Sequence, residues 1–209
     1  MCGRFALTRK DLEELLSEQI EFEDRFNIAP SQEVFVFSDE LKTGHLHRIR
    51  WGFLPHWKKD ARGRQINARS ESLDAKPYFR HAFRYGRCAI PASGYYEWAV
   101  IDNQKQPQYL YREDRQALLF AGLRAEHQGQ WNGAIVTRAA DARVAWIHER
   151  MPLILSPGRE LQEWLSAGPL DAKAFLLQHE PPRMAWHAVA QLVNSPRNEG
   201  PECAASLLL

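Results

Sequence analysis

Apolar residues recur at helical spacing in several short segments of the chain. Leu12, Leu15 and Leu16 fall on one helical face, and Thr8, three residues before Asp11, is typical of the cap that begins such a helix. The pattern therefore predicts a helix close to the start of the chain. Three further short helices are predicted at residues 139–147, from Ser156-Pro157 to Gly168-Pro169, and at residues 171–178.

Other segments show the alternating or continuous apolar pattern of β-strands. Residues 33–37 (EVFVF) read as a strand, and residues 87–98 (RCAIPASGYYEW) as a buried strand interrupted by Pro91 and Gly94. Further strands are predicted at 45–50, 109–112, 117–124, 132–137 and 184–189. Together these elements predict an α+β fold, a single domain built on a mostly antiparallel, barrel-like β-sheet with peripheral short helices.

Length and composition fit one soluble globular domain. The chain has 209 residues and 44% hydrophobic content, which is enough for one substantial core. No run approaches the roughly 18 apolar residues of a membrane helix, and no signal-peptide pattern precedes the first helix, so we expect a cytoplasmic protein. The three cysteines, Cys2, Cys88 and Cys203, are too widely spaced to suggest a disulfide framework or a metal site.

The formal net charge of +1 hides a segregation of charge along the chain. Residues 9–25 hold seven acids and three bases, whereas residues 48–69 hold seven bases and one acid, and residues 76–87 hold four bases and no acid. A basic surface on a neutral protein is compatible with a polyanionic partner. It is also compatible with a solvated surface that the acidic helix balances.

Cys2 is the first residue that suggests chemistry. Removal of Met1 would leave an α-amine with a pKa of about 8 beside a thiol with a pKa of about 8.5, both partly deprotonated at neutral pH. Such an aminothiol condenses with an aldehyde to a five-membered thiazolidine ring. Arg4 could lower the thiol pKa or hold a phosphate, and Phe5 could anchor the chain start in the core. Alternatively, Cys2 is an incidental residue at a frayed end.

Three polar residues in apolar surroundings are candidates for a supporting role. Glu97 lies among aromatic residues that would raise its pKa, as a general acid or base requires. His148 precedes a proline-containing segment and is a natural proton shuttle. Asn67 can donate and accept hydrogen bonds, as the orientation of a carbonyl group or a sugar hydroxyl requires. Each has an ordinary alternative: an exposed strand glutamate, a structural histidine and a turn asparagine.

Trp57 and the bases around it suggest contact with a single strand of nucleic acid. The indole precedes Lys58 and Lys59, a combination typical of a base-stacking platform beside a phosphate track. A core tryptophan beside surface lysines would give the same local pattern.

Seven collinear segments resemble one family, the SRAP (SOS response-associated peptidase) domain. They are MCGRFA at 1–6, RFNIAP at 25–30, WGFLP at 51–55, INARSES at 66–72, GYYEW at 94–98, VTRAA at 136–140 and HERMPLIL at 148–155. On this resemblance the SRAP domain spans residues 2–195, and residues 196–209 form a loop-like C-terminal tail.

The resemblance implies covalent capture of abasic sites in single-stranded DNA, with associated removal of Met1. Cys2 would form a thiazolidine with C1′ of the ring-opened deoxyribose. Asn67 would orient the sugar, Glu97 would act as acid and base, and His148 would relay protons. The implied partner is single-stranded DNA containing abasic sites, bound by a monomer that associates with the nucleoid and needs no cofactor, metal or membrane.

The resemblance also implies a set of residues that contact DNA or build the site. They are Arg4, Asn27, Pro30, Trp57, Lys58, Arg69, Trp98, Thr137 and Arg150. Two positions depart from the family pattern: Lys58 stands where relatives carry a second aromatic residue, and His56 where they carry a small one.

Two other classes of function fit parts of the sequence. An N-terminal-nucleophile peptidase or amidase would use Cys2 with Glu97 and His148. A plain single-strand binding module would use Trp57 and the basic segments, and Cys2 would have no role.

Overall fold

The computed structural model describes residues 2–38, 46–60 and 62–207. The helices are α1 (Arg9–Leu16), α2 (Pro77–Tyr85), α3 (Arg159–Ser166) and α4 (Pro169–Gln178), with 3₁₀ turns at Ser70–Ser72, Gln191–Asn194 and Pro201–Cys203. The strands are β1 (Phe5–Leu7), β2 (Arg25–Ile28), β3 (Glu33–Val36), β4 (His47–Trp51), β5 (Asn67–Arg69), β6 (Arg87–Ala92), β7 (Gly94–Ile101), β8 (Gln104–Arg112), β9 (Leu118–His127), β10 (Gln130–Ala139), β11 (Arg150–Pro152), β12 (Ile154–Leu155) and β13 (Met184–Ala188). Among these elements, no helix is long and apolar enough to cross a membrane.

The strands form two sheets. The first sheet has the order β13-β8-β7-β1-β2 and is antiparallel throughout. The second has eight strands around β9 and β10, and backbone bonds between Phe37 and Ala89 connect the end of β3 to β6, so that the sheet closes on itself. This confirms the predicted α+β fold with a barrel-like sheet, although β4 and β5 run parallel to β10.

Aromatic packing fixes the start of the chain to the core between the sheets. The Phe5 ring lies 5.2 Å from that of Trp51 and 5.8 Å from that of Phe120 (centroid distances), and Phe5 is 1% exposed. Burial of one such side chain stabilises the fold by about 1.5–3 kcal/mol. The expectation that Phe5 anchors the chain start is confirmed, so residues 2–4 lie beside the core.

The structure corrects one predicted helix. Residues 139–147 do not form it, because β10 continues to Ala139 and pairs there with Arg150 of β11. The intervening residues form a loop of turns, in which Val144 and Ile147 are buried. This loop carries His148.

Other predicted elements hold with shifted bounds. The cap of α1 is confirmed, since Thr8 Oγ1 accepts from the Asp11 amide. Helix α3 begins at Arg159 rather than at Pro157, because Gly158 has a φ of 83°, outside the helical region. Residues 87–98 divide into β6 and β7 at Ser93, and residue 45 of the predicted strand 45–50 lies outside the described residues.

Helix α2 was not predicted, because its arginine residues interrupt a short apolar pattern. Its Phe79, Ala82 and Phe83 are buried against β6 and β9, and its opposite face carries exposed bases.

The segment after β13 packs on the outer face of the first sheet. Cys203 is buried in a cluster with Tyr96 and Val193, and Ser206 forms a bridge with Val189. Described residues of the predicted tail therefore contribute to packing, and the domain boundary at residue 195 stays a prediction. Residues 208 and 209 lie outside the description.

Candidate active site

Cys2 lies just before β1, between the two sheets, and is fully buried. Asn67 of β5 approaches it from the second sheet and donates a hydrogen bond from Nδ2 to the Cys2 carbonyl oxygen, at 2.9 Å. Asn67 Oδ1 is buried and has no hydrogen-bond partner among the residues that the structure describes. A buried acceptor without a partner is costly, so this oxygen is placed to accept from a bound ligand.

Glu97 of β7 lies on the strand that pairs with β1, with Tyr95 opposite Phe5. The residue is 3% exposed. Burial raises the pKa of Glu97 to about 7, and the positive charge of the chain's amino terminus partly offsets that rise. Both protonation states are therefore populated at neutral pH, which is what a group that donates and accepts protons needs.

The Cys2 thiol is held protonated. Burial raises its pKa far above the usual range, and the negative charge of Glu97 raises it further. The hydrogen bond to the Arg4 backbone carbonyl lowers this pKa, but burial outweighs it. The Arg4 guanidinium itself donates to Asn27 Oδ1 at 2.9 Å and to the Val193 carbonyl at 2.8 Å.

His148 ends the loop before β11. Its Nδ1 accepts from the Arg150 amide at 2.9 Å, so the neutral ring carries its proton on Nε2. Burial lowers the His148 pKa, and the positive charge of the amino terminus lowers it further. The same charge also lowers the pKa of Glu97.

Three residues assigned to DNA contact lie beside Asn67 on the second sheet. Thr137 of β10 pairs with Arg69 of β5, and Arg150 follows on β11. The Arg150 guanidinium makes a two-point ion pair with Glu71, at 2.6 and 2.9 Å, and donates to the Thr137 carbonyl at 2.8 Å. Arg69 is exposed.

Three other assigned residues bind the segment after β13. Asn27 is fully buried and donates from Nδ2 to the carbonyls of Ser195 and Asn198, at 2.9 and 2.7 Å. Arg4 donates to Asn27 and to this segment, as described above, and Trp98 Nε1 donates to Asn194 Oδ1 at 2.7 Å. Pro30 follows β2 and is half-buried.

Trp57 and Lys58 lie on the loop between β4 and β5. The Trp57 side chain is 53% exposed, with its ring centroid 6.2 Å from that of Tyr78. Lys58 makes an ion pair with Asp60 at 3.3 Å, and its carbonyl is 2.8 Å from Nε2 of His127.

Sequence reasoning missed Gln108 of β8, which lies directly opposite Glu97 in the β7–β8 register. Paired residues of an antiparallel sheet project to the same face, so the Gln108 amide shares the face of Glu97. The residue is 3% exposed. The detectable signal was a polar residue two positions before Leu110, at an inward-facing position of a strand.

A buried cysteine at the chain start, held by an asparagine and facing a carboxyl group of raised pKa, defines an N-terminal cysteine site on an α+β fold. The family model for the SOS response associated peptidase (SRAP) matches residues 1–196. The chain belongs to the SRAP family.

Relatives match over nearly the whole chain. The abasic site processing protein YoaM of Bacillus subtilis is 33% identical over 221 residues, covering 97% of this chain and 96% of the relative. The abasic site processing protein YedK of Escherichia coli is 33% identical over 228 residues, covering 97% and 98%.

Solved structures share the fold. A protein from Bacteroides thetaiotaomicron superposes with a TM-score of 0.84 at 20% identity, covering 99% of this chain and 100% of that one. A phage-related protein from Bordetella bronchiseptica gives a TM-score of 0.73 at 30% identity, covering 91% and 95%.

Proposed function

We propose that this protein processes abasic sites in DNA and captures them covalently through Cys2 after removal of Met1. The observation that carries the proposal is the contact of Asn67 with the Cys2 carbonyl beside the buried Glu97 carboxyl group. The relatives named as abasic site processing proteins support it. Met1 itself lies outside the described residues.

The first step is hydrolysis of the Met1–Cys2 peptide bond. Water adds to the carbonyl carbon of Met1, the C–N bond breaks, and methionine leaves with a free carboxylate. The product carries an α-amine on Cys2. Glu97, which is present in both protonation states near neutral pH, can accept the proton of the attacking water. This step would account for the peptidase in the family name.

The second step opens the lesion sugar and joins it to the amine. The Glu97 carboxyl group protonates the ring oxygen, the bond between that oxygen and C1′ breaks, and the C1′ hydroxyl gives its proton to water, which leaves an aldehyde at C1′ and a hydroxyl at C4′. The neutral amine adds to C1′, and the resulting carbinolamine loses water to form an imine. Because the thiol is held protonated, the amine attacks first.

The third step closes the ring. The Cys2 sulfur bonds to the imine carbon, and the thiol proton is transferred to the nitrogen, which gives a thiazolidine. The net reaction consumes one aldehyde and one aminothiol and releases one water. Neutral His148, with its proton on Nε2, relays protons in both directions. Asn67 Oδ1 accepts a hydrogen bond from a hydroxyl of the opened sugar, and Gln108 flanks Glu97.

The strand that bears the lesion would lie over the exposed residues beside Asn67. Arg69 would bind a phosphate, and Trp57 would stack on a base. Arg150, whose guanidinium pairs with Glu71, would help build the site beneath the strand. Arg4, Asn27 and Trp98 would act through the segment that they hold. Pro30 and Lys58 would line the surface, and the buried Thr137 would hold the Arg150 guanidinium from beneath. We expect a monomer that binds single-stranded DNA.

Intact-mass spectrometry tests the proposal. The purified protein is expected to lack one methionine, and with an abasic single-stranded oligonucleotide its mass should rise by that of the oligonucleotide minus one water. Cys2→Ala should give no such adduct. Insertion of an alanine between Met1 and Cys2 is the matched control, because it keeps the thiol and moves the amine away. An equal yield of adduct from wild type and Cys2→Ala would refute the proposal.

Neither alternative function has the same support. A peptidase that acts on other chains needs a thiolate, and burial keeps the Cys2 thiol protonated. A plain single-strand binding module leaves the buried, unpartnered Asn67 oxygen next to Cys2 unexplained. Covalent capture uses both features.

A further inference from the structure

A pocket with a volume of about 210 Å³ lies between the end of α2 and the adjoining ends of β9 and β10. Its walls include the rings of His56, His81, Tyr85 and Trp131, and none of these residues belongs to the site described above. The Tyr85 side chain is 73% exposed and that of Trp131 is 40% exposed. Core packing therefore does not account for these rings.

The rings are arranged in two groups that face the pocket. His81 lies between His56, at 4.9 Å, and Tyr85, at 5.1 Å, measured between ring centroids. Across the pocket, the Arg124 guanidinium lies 4.4 Å from the centroid of the Trp131 ring. Aromatic faces beside a stacked arginine are the surfaces on which nucleic-acid bases stack.

The charge around the pocket favours a polyanion. Residues 75–87 contain no acid, and Arg80 and Arg84 of α2 are exposed, as is Lys59 of the neighbouring loop. Glu126 is the acid among the lining residues. Phosphates that flank a stacked base would lie against the bases of α2.

The pocket is continuous with the surface proposed to bind DNA. His56 immediately precedes Trp57 and Lys58, and the Asn132 side chain accepts from the Leu54 amide at 2.7 Å, which fixes their loop to β10. Trp131 is four residues along β10 from Ile135, which pairs with Asn67. At the usual rise of a strand this is about 13 Å, a separation that a short stretch of single strand spans.

We infer that this pocket binds a base of the single strand at some distance from the lesion. The bound base lies on one side of the lesion, either 5′ or 3′, and not on both. The inference rests on the proposed function, which places the lesion at Cys2. Binding of the flanking strand is non-covalent, so it can be measured separately from the covalent reaction.

Two series of abasic oligonucleotides test whether the pocket binds a flanking base. One series is extended on the 5′ side of the lesion and the other on the 3′ side, and fluorescence anisotropy measures the affinity of each oligonucleotide. For wild type, affinity should rise in one series once the strand is long enough to reach the pocket. The double variant Tyr85→Ala/Trp131→Ala should lose that gain, by about 5- to 150-fold on the long oligonucleotide. It should crosslink the shortest abasic oligonucleotide as wild type does.

His81→Ala, on the exposed face of α2, is a second pocket variant. Leu177→Ala on α4 is the control, because the Leu177 side chain is 81% exposed and lies outside the pocket. A length dependence absent from wild type, or unchanged in both pocket variants, would overturn the inference. Loss of crosslinking with the length dependence intact would overturn the proposed function and leave the pocket as a single-strand site. An equal loss of affinity at every length would also overturn it, because the variants would then act on the part of the interface that all the oligonucleotides share.

Discussion

At the residue scale, burial sets the protonation of the groups at the chain start. It raises the pKa values of Cys2 and Glu97 and lowers that of His148, so all three groups favour their neutral forms relative to exposed counterparts. A neutral thiol and a neutral imidazole leave the α-amine as the first nucleophile. The site is therefore suited to condensation with a carbonyl group.

Glu97→Gln should change how stability depends on pH. The Glu97 pKa rises from 4.5 to about 7 in the folded chain, so the folded state binds the proton more tightly. Binding of this proton therefore contributes its full stabilisation of the folded state below pH 4.5, and this contribution is lost as pH rises through about 7. Urea unfolding should show equal stabilities near pH 4 and a more stable variant at pH 8, by up to about 3 kcal/mol.

Intact mass establishes whether Met1 is present in each protein. When both proteins carry the same amino terminus, they share every other titrating group, and the difference between their pH profiles isolates Glu97. Parallel profiles from pH 4 to pH 8 would show that the carboxyl group is not desolvated.

At the element scale, β10 and the segment after β13 organise the site. Strand β10 pairs with β5 on one side and with β11 on the other, and so brings Asn67 and Arg150 to the same end of β10 although they are far apart in sequence. The segment 193–198 is held by Asn27 and Arg4, which lie directly behind the chain start. The position of Cys2 thus depends on residues close to the other end of the chain.

Asn27→Ala should destabilise the fold by about 3 kcal/mol, because it removes three hydrogen bonds and leaves buried carbonyl and guanidinium groups unsatisfied. Urea unfolding measures the loss. Gln130→Ala, at an exposed position at the start of β10, should change stability by less than about 0.5 kcal/mol. Equal effects of the two substitutions would contradict the role given to Asn27.

At the scale of the whole molecule, charge is divided between two regions. The acidic residues of 9–25 lie in and after α1, and most of the basic residues of 48–87 lie on β4, on the segment from there to β5 and on α2. The net charge of +1 therefore gives little attraction at long range, and binding of DNA depends on the local basic surface.

Arg69→Gln should reduce the salt dependence of binding to single-stranded DNA. Loss of one phosphate contact should make the slope of log affinity against log salt concentration shallower by about 0.7. A titration from low to moderate salt measures the slope. Arg159→Gln on α3 is the matched control, since its exposed guanidinium pairs with Glu163 within the same helix. A slope unchanged by Arg69→Gln would remove Arg69 from the interface.

Local features of the chain determined much of the fold. The capped leucine pattern of α1 and most of the strands follow from periodicity, because the spacing of apolar residues is a property of the neighbouring sequence alone. The prediction of a helix at 139–147 was wrong because Ala139 pairs with Arg150. This pairing is a tertiary contact, which the neighbouring sequence does not show, and it overrides local helical propensity. Helix α2 was missed since its apolar face is short and interrupted by bases.

By itself, the sequence determined the chemistry available at position 2 and identified Asn67, Glu97 and His148 as candidate partners. Only the tertiary structure decided that Asn67 holds the Cys2 carbonyl, that Gln108 faces Glu97, and that residues 193–198 support the chain start. It also decided the direction of each pKa change, which for Cys2 is opposite to the expected one. The physical reason is that strand register and desolvation depend on which distant residues surround a group, whereas its chemical type is a property of the residue itself.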